Sequence, residues 1–240
     1  MKTRLDRLMV DRGLAESREK AQALIMAGEV RINGQKAGKP GQPVDDGATV
    51  DVLNRPPYVS RGGFKLAGAL KHFGIALAGK ICVDIGSSTG GFTDAMLQAG
   101  AARVHAVDVG AGQLDWKLRT DPRVLVHEGI NARELLPDEI GERADFMCCD
   151  LSFISVTLVL PAIMPLLQPD GQMVILIKPQ FEAGKGQVGK GGIVREPELH
   201  RAACHRVEQA VRKFGFQTAI IESPIRGAEG NKEFLLYAHH

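Results

Sequence analysis

Apolar residues recur along most of the chain in short runs, and helical patterns separate most of these runs. From residue 81 onward the runs cover residues 81–85, 103–107, 123–126, 145–149, 172–178, 216–222 and 233–238. Runs of strand length that alternate with helical patterns predict parallel strands joined by helices. The last two runs have no helical pattern between them, so we expect the final strand to enter the sheet antiparallel, through a hairpin. The pattern predicts an α/β fold with a doubly wound sheet.

Residues 1–55 contain shorter elements than the rest of the chain. Ser17 is a typical N-cap residue, and Asn33-Gly34 is a typical turn of a β-hairpin. These elements together predict a small α+β module. Its predicted helices cover residues 3–12 and 18–27, and its predicted strands cover residues 30–32 and 48–53.

A proline-rich stretch, Asn54–Tyr58, follows this module. Two adjacent prolines favour an extended and stiff connector. We therefore predict a first domain over residues 1–55, a linker over residues 56–60 and a second domain over residues 61–240.

A glycine-rich bend follows the apolar run of residues 81–85, and a helical pattern starts at Phe92. Strand, glycine turn and helix form the first half of a nucleotide-binding βαβ unit. The glycines are Gly86, Gly90 and Gly91, so the Gly-x-Gly-x-x-Gly spacing of dinucleotide sites is absent. We expect these glycines to let a ligand approach the backbone closely, because a Cβ would block it.

Two carboxylates accompany this bend in the predicted sheet. Asp84 precedes the glycines, and Asp108 closes the next strand, where a ribose-binding carboxylate belongs. A carboxylate pair without a pyrophosphate cradle suits a nucleoside with a positive group, and S-adenosylmethionine is such a molecule. Asn131, after the third strand, either faces the adenine edge or is an ordinary loop residue. The predicted cofactor-binding residues are Asp84, Gly86, Ser87, Ser88, Thr89, Gly90, Gly91, Phe92, Asp108, Asn131 and Asp150.

Further polar residues lie where ligands of such sheets bind, beyond the carboxyl ends of the strands. Asp150 ends the fourth predicted strand, Lys178 ends the fifth, and Glu233 begins the seventh. Lys65 lies on a helix predicted over residues 60–73. Taken alone, each of these four residues would be interpreted as an ordinary surface charge. In the predicted topology, the two lysines and two acids converge on the cofactor cleft as candidate catalytic residues.

The order and strand positions of these four residues resemble the Lys-Asp-Lys-Glu tetrad of FtsJ-type ribose 2′-O-methyltransferases. The pattern R-L-D-x-L-M-V-x-R-G-L-A near the N-terminus resembles the small alpha-L RNA-binding module named after ribosomal protein S-four. Over residues 1–238 the chain resembles the TlyA family, often labelled hemolysins but also known as ribosomal RNA 2′-O-methyltransferases. In the second domain the resemblance is carried by Ser60–Lys65, Asp84–Asp94, Asp150–Ser155, Lys178–Glu182 and Gly189–Gly192.

The resemblance implies a Rossmann-like, seven-stranded S-adenosylmethionine-dependent methyltransferase fold. It implies 2′-O-methylation of ribose in ribosomal RNA, with S-adenosyl-L-methionine as cofactor and a ribosomal subunit as partner. It makes Lys178 the base and Asp150 the residue that orients it, while Lys65 and Glu233 hold the ribose and the network. Lysine acts as a base only when neutral. Burial and the second lysine favour the neutral form, the two acids favour the charged form, and the sequence leaves this balance open.

Charge is concentrated locally, because the formal net charge of the whole chain is only +2. Residues 1–40 carry nine basic and five acidic side chains, an excess of four positive charges. Such a surface grips phosphates with little sequence selectivity, and RNA recognised by shape suits it. The predicted RNA-binding residues are Arg4, Arg7, Arg18, Lys20, Arg61 and Lys190.

Several classes of protein are disfavoured. The four cysteines have no C-x-x-C spacing, which favours reduced thiols and a cytoplasmic location. The sequence also lacks a cluster of His and Cys residues that would indicate a metal site. The longest apolar stretch, Val156–Leu167, contains two prolines and is shorter than the roughly 20 residues that span a bilayer. We therefore expect neither a metal nor a membrane partner.

Three alternative functions stay open beside ribose methylation. Asp150–Phe153 occupies the place of the Asp-Pro-Pro-Phe motif of amino-methyltransferases, although both prolines are missing. The second alternative is an RNA-binding ribosome-assembly factor with little or no methyltransferase activity, and the third is a cytolysin, as the hemolysin label says.

The glycine-rich stretch Ala183–Gly192 resembles the start of a phosphate-binding loop, but no Ser or Thr follows Lys190. It is instead a basic lid over RNA or a mobile loop.

Overall fold

The computed structural model describes residues 2–15, 17–53, 57–183, 189, 191–227 and 230–240. The chain divides into two compact units, Met1–Pro57 and Tyr58–His240. This division falls inside the predicted linker of residues 56–60. Val59 packs with the second unit, because its N–H donates to the Asp94 carboxylate at 2.9 Å.

The small unit combines two helices with short antiparallel strands. One described sheet pairs β1 with β4, and the other has the order β3-β2-β5. Leu5, Met9 and Ile25 are buried between the helices and the strands and form the centre of the core. The elements are β1 (Lys2–Arg4), α1 (Leu5–Asp11), α2 (Arg18–Met26), β2 (Val30–Ile32), β3 (Gln35–Lys36), β4 (Pro43–Asp45) and β5 (Val50–Val52).

Most predicted elements of this unit are confirmed. The Ser17 hydroxyl accepts a hydrogen bond from the Lys20 N–H at 3.3 Å, so it caps α2. Asn33 and Gly34 both have positive φ and form the predicted hairpin turn. The prediction of a helix from residue 3 was wrong, since Thr3 and Arg4 pair with β4 and the helix begins at Leu5. Strand β4 was not predicted, because three residues that begin with proline give too little strand signal.

The large unit alternates strands and helices, and short 3₁₀ turns lie at Val156–Leu158 and Met164–Leu166. Its helices are α3 (Gly62–Phe73), α4 (Gly91–Gln98), α5 (Trp116–Arg119), α6 (Pro137–Ile140), α7 (Leu160–Ile163), α8 (Pro179–Glu182) and α9 (Pro197–Arg212). Its strands are β6 (Ile81–Ile85), β7 (Arg103–Asp108), β8 (Val124–Glu128), β9 (Ala144–Cys149), β10 (Leu167–Ile177), β11 (Gln217–Glu222) and β12 (Phe234–His239). In the described residues of this unit, no helix is both long enough and apolar enough to cross a bilayer.

These strands form one seven-stranded sheet in the order β11-β12-β10-β9-β6-β7-β8 within the described chain. Strand β12 runs antiparallel to both of its neighbours, and β6 to β10 are parallel to one another. The predicted doubly wound sheet with a reversed last strand is therefore confirmed. The strand order changes direction between β6 and β9, and ligands of such sheets bind beyond the carboxyl ends at that switch point.

Apolar side chains are buried on both faces of this sheet. Val83 of β6 belongs to the cluster that includes Val207 of α9. Its neighbour Cys82 belongs to the opposite cluster, with Leu66 of α3 and Met96 of α4. Successive residues of a strand point to opposite faces, so helices cover both sides and leave the strand ends open for a site.

Most strand boundaries lie within two residues of the prediction, and the largest difference is at the start of β10. Strand β10 begins at Leu167, five residues before the predicted start. Pro169 and Gly171 are turn signals in sequence, but the structure accommodates them as an irregularity in the pairing between Leu167 and Gln172. The carboxyl end of the strand, which positions Lys178, lies where it was predicted.

Candidate active site

Glycines shape the loop between β6 and α4. Gly86 and Gly90 have φ values of 84° and 94°, a region that side chains rarely adopt. A Cβ on Gly86 would overlap the carbonyl oxygen of Asp150, and a Cβ on Gly90 would overlap Leu118. A Cβ on Gly91 would overlap the Ser60 hydroxyl. Close contacts within the protein therefore require these glycines, whereas the sequence had suggested a requirement for ligand approach.

We expect Gly86→Ala to lower the free energy of unfolding by about 1–3 kcal/mol, since it combines an unfavourable backbone conformation with a clash. Gly79→Ala is the matched control, because Gly79 also has positive φ but has no described atom near its Cβ position apart from its chain neighbours. Denaturant titration of both variants separates the backbone effect from the clash. Equal losses in the two variants would show that the Asp150 contact is unimportant.

Asp84, a predicted cofactor residue, is fully buried. Its carboxylate accepts hydrogen bonds from the Thr93 hydroxyl at 2.6 Å and from the Cys148 thiol at 3.4 Å. Burial raises the pKa of Asp84 to about 6, and the Thr93 hydrogen bond opposes this shift. In the structure the carboxylate therefore joins β6 to α4 behind the glycine loop and does not face the open side.

Asp108 lies at the end of β7, and its carboxylate is bound to backbone. It accepts hydrogen bonds from the N–H groups of Ser88 at 2.8 Å and Gly110 at 2.7 Å. Ser88 and Thr89 are the exposed part of the loop, while Gly86 is half-buried. The other predicted loop residues, Ser87, Gly90, Gly91 and Phe92, are buried and shape the loop from behind.

Asn131 is exposed after β8, and its hydrogen bonds are local. Its side-chain oxygen accepts from the Arg133 N–H at 3.2 Å, and its amide donates to Glu134 at 3.4 Å. These contacts close a turn, which is how an ordinary loop residue behaves. The predicted contact to an adenine edge stays a prediction.

The four candidate catalytic residues form two ion pairs. Lys178 Nζ lies 2.6 Å from Asp150 Oδ1, and Lys65 Nζ lies 2.6 Å from Glu233 Oε2. Neither carboxylate oxygen has the angles of a hydrogen bond with a described group, so the contacts are ionic by distance. The two lysine side chains are exposed to similar extents, 12% for Lys178 and 10% for Lys65, but 20% of Asp150 is exposed and only 2% of Glu233. The Lys178–Asp150 pair is thus the more accessible of the two.

Strand register brings these residues to one edge of the sheet. Ile177 of β10 pairs with Phe234 of β12, so Lys178 and Glu233 face each other one step further on. Asp150 directly follows β9, the other neighbour of β10. Because Gly86 packs against the Asp150 carbonyl, the glycine loop also reaches this edge. The four residues therefore lie at one edge of the sheet, and their predicted role at a cofactor cleft stays a prediction.

Two residues beside Lys178 had no role in the sequence-based hypothesis. The Lys178 amine donates to the Ser152 hydroxyl at 2.9 Å. Phe153 is 91% exposed with a positive φ of 66°, and its ring centroid is 5.2 Å from that of Phe181. The only sequence signal was their place directly after Asp150, because positive φ cannot be read from a phenylalanine.

Glu182 anchors the segment that follows β9. It is buried, and its carboxylate accepts from the Ser155 hydroxyl at 2.5 Å and the Val156 N–H at 2.8 Å. Burial raises the pKa of Glu182, and the Ser155 hydrogen bond opposes the shift. The carboxylate ties the chain after β9 to α8, which begins directly after Lys178.

Two of the predicted RNA-binding arginines contact a buried acid. Arg4 and Arg18 each donate to the Asp6 carboxylate, with Nη2 to Oδ2 distances of 2.8 Å and 3.3 Å. Both arginine side chains are about half exposed. Arg7 is more exposed and lies 3.8 Å from Asp11. Lys20 is exposed on α2.

The remaining two predicted RNA-binding residues belong to the large unit. Arg61 is exposed, and its Nη2 donates to the carbonyl oxygen of Arg226 at 2.8 Å. Lys190 lies outside the described residues, so its predicted role stays a prediction. Among the described side chains, no group of three His, Cys, Asp or Glu residues is arranged to hold a metal.

Comparison with known proteins agrees with this architecture. Residues 58–240 match the model of the FtsJ-like methyltransferases, and residues 3–50 match the S4 domain model. The 16S/23S rRNA (cytidine-2′-O)-methyltransferase TlyA of Mycobacterium tuberculosis is 48% identical over 98% of this chain and 89% of its own length. Hemolysin A of Brachyspira hyodysenteriae is 43% identical over 98% of each chain.

A solved structure has the same organisation. It is a protein named as a hemolysin from Streptococcus thermophilus, with a TM-score of 0.75 and 45% identity. The match covers 99% of this chain and 88% of the other. Both domains and nearly all of this chain are thus shared with these relatives, and the chain belongs to the TlyA family of FtsJ-like methyltransferases.

Proposed function

We propose that this protein methylates a ribose 2′-hydroxyl of ribosomal RNA, with S-adenosylmethionine as the methyl donor. The observation that carries the proposal is the accessible Lys178–Asp150 pair at the switch point of the sheet, beside the glycine loop. The M. tuberculosis relative is named for this type of reaction, which supports the assignment. The tetrad and the full-length match argue against an assembly factor without activity.

The residues present fit S-adenosylmethionine. Gly86, Ser88 and Thr89 form the accessible side of the loop, and Asp108 is held at its rim by two backbone N–H groups. Asp150, which pairs with Lys178, places a second partly exposed carboxylate at the same edge of the sheet, and such a carboxylate suits the neighbourhood of a cationic ligand. When bound, the cofactor supplies an electrophilic methyl group on a positively charged sulfur.

The residues of the chain orient the sugar and handle its proton. Lys178 engages the 2′-hydroxyl, and Asp150 and Ser152 fix the position of its amine. Only a neutral lysine has the lone pair needed to accept the hydroxyl proton. The buried Lys65–Glu233 pair braces the adjacent strand. Alignment of the hydroxyl oxygen with the methyl group supplies much of the rate, because orientation replaces an improbable encounter.

The S4 unit supplies the docking on RNA in this proposal. Its excess of basic side chains binds backbone phosphates, and this electrostatic attraction weakens as the salt concentration rises. The substrate is a ribosomal subunit, and the enzyme acts in the cytoplasm.

Analysis of the product tests the reaction. After incubation with ribosomal subunits, we expect one phosphodiester of the RNA to resist alkaline hydrolysis, because the neighbouring 2′-hydroxyl is blocked. Nuclease digestion with mass spectrometry should give a nucleoside methylated on its ribose. A nucleoside methylated on its base would overturn the proposal in favour of an amino-methyltransferase. RNA treated with protein but without S-adenosylmethionine is the control.

A further inference from the structure

A cavity of about 500 Å³ opens beside the tetrad in the large unit. This volume lies within the roughly 300–1,000 Å³ of ordinary ligand pockets. Three cationic side chains, Arg195, Arg226 and Lys232, line it together with the apolar residues Ile193 and Pro197. A cationic rim with an apolar wall suits a ligand that joins an anionic group to a less polar body.

Among the described residues, acidic side chains neutralise the positive charge of the rim only in part; Glu229, between Arg226 and Lys232, lies outside them. Lys232 lies 3.2 Å from Glu222, but both side chains are well exposed, so this pair is weak. Arg226 donates through Nη1 to the Gly230 carbonyl oxygen at 3.2 Å, which leaves its charge uncompensated by that contact. Glu233, which directly follows Lys232, is paired with Lys65. The Glu196 carboxylate, next to Arg195, accepts a hydrogen bond from the Arg195 backbone N–H at 3.2 Å.

Buried hydrogen bonds hold the wall of the cavity in place. The side chain of Asn231, which is buried, accepts from the Val194 N–H and donates to the Gly192 carbonyl oxygen, both at 3.0 Å. The His200 Nε2 lies 3.0 Å from the Val194 carbonyl oxygen and must carry the proton, since a carbonyl only accepts. Both lining segments are therefore joined to each other, and the cavity is formed without a ligand.

The cavity adjoins the catalytic edge. Lys232 directly precedes Glu233, and Gly227, the neighbour of Arg226, packs closely against the Glu233 carboxylate. Arg61, at the start of the helix that carries Lys65, donates to the Arg226 carbonyl oxygen. The cationic rim thus adjoins the Glu233 end of the catalytic edge.

We propose that this cavity binds a backbone phosphodiester of the RNA strand that flanks the target nucleotide. The inference rests on the proposed function and adds a second phosphate-binding surface, separate from the S4 unit. An arginine guanidinium can donate two parallel hydrogen bonds to the oxygens of one phosphate. The apolar wall accommodates the attached sugar. This contact fixes the position of the RNA strand relative to Lys178. Phosphate contacts position a nucleic acid in this way without recognising its base sequence.

The test compares Arg195→Gln, Arg226→Gln and the double variant with Arg201→Gln. Arg201 lies on the nearby helix α9, is exposed and pairs with Glu198, so the control removes the same charge outside the rim. We measure binding to purified bacterial ribosomal subunits over a range of salt concentrations. The double variant should bind about tenfold more weakly than the control. The slope of log affinity against log salt concentration should be smaller in magnitude by about one to two. Melting temperatures within about 2 °C of wild type ensure that folding is intact.

The outcomes separate this inference from the proposed function. If the subunits bind and the double variant matches Arg201→Gln in affinity and salt slope, the cavity is not a phosphate site and the inference fails alone. Failure of the wild type to bind any subunit would overturn the proposed function instead. Inorganic phosphate is tested as a competitor at matched ionic strength. Tight binding of free phosphate that leaves RNA affinity unchanged in all variants would assign the cavity to a small anion and overturn the inference.

Discussion

Replacement of Lys178 with alanine is expected to reduce methyl transfer by roughly 100- to 10,000-fold, the usual contribution of one acid–base group. The amine lies 2.6 Å from Asp150 Oδ1 and 2.9 Å from Ser152 Oγ, so it is held in one position beside the glycine loop. Alanine removes this group without altering the backbone that shapes the cofactor site. Binding of S-adenosylmethionine should therefore be preserved, and equilibrium binding and single-turnover transfer measure the two effects separately.

Lys178→Arg distinguishes a base from a positioning group. Arginine keeps the positive charge and can still pair with Asp150, but it does not lose its proton in proteins. If Lys178 accepts the hydroxyl proton, the arginine variant should be as impaired as the alanine variant. Lys71→Ala, an exposed lysine on α3, is the control for loss of one charge. Unchanged turnover in Lys178→Ala would remove this residue from the active site.

The sheet and the placement of Lys178 followed from sequence because their signals are local. Each central strand is a short apolar run, and the first polar residue after it lies at the carboxyl end of the strand. The pairing of side chains was beyond sequence, since nothing in the spacing joins Lys65 to Glu233, 168 positions later. These partners are set by the register between β10 and β12 and by the packing of α3, which are tertiary properties.

The residues around the cofactor loop illustrate a second limit. A glycine in a turn predicts freedom of the backbone, but the sequence does not say which atom comes close to it. In the structure those atoms belong to Asp150, Leu118 and Ser60. Likewise, Asp84 was predicted to meet the ligand, but it is buried against Thr93. The direction of a side chain near a strand end depends on the loop that follows, which sequence patterns do not determine.

Asp6→Ala is expected to destabilise the small unit and thereby weaken RNA docking. Asp6 is fully buried and accepts from the side chains of Arg4, Arg18 and Gln22 and from the Arg7 N–H. Because the arginines are half exposed, water screens their charges, and the loss comes chiefly from broken hydrogen bonds. We expect a cost of about 2–3 kcal/mol. A unit of this size is only marginally stable, so local unfolding should follow.

The pH dependence of this loss identifies its cause. The Arg4 guanidinium, with smaller contributions from Gln22 and Arg18, holds the pKa of Asp6 well below its usual range, although burial opposes the shift. A lowered pKa means that the carboxylate stabilises the folded state above the unfolded value of about 4, and that this stabilisation is lost as the pH falls below it. The difference between wild type and Asp6→Ala should therefore narrow in acid.

Hydrogen exchange of amides in residues 2–15 and 17–53 of the full chain measures this stability, and binding to ribosomal subunits measures the functional consequence. Asp11→Ala is the matched control. Asp11 is exposed and its distance to Arg7 is as long as 3.8 Å, so this ion pair contributes little to stability. Faster exchange together with weaker subunit binding in Asp6→Ala alone would mean that Arg4 and Arg18 act on RNA from a scaffold that Asp6 holds. If exchange is faster but subunit affinity is unchanged, docking does not depend on the folded S4 unit, and the phosphate contacts of the large unit must carry it.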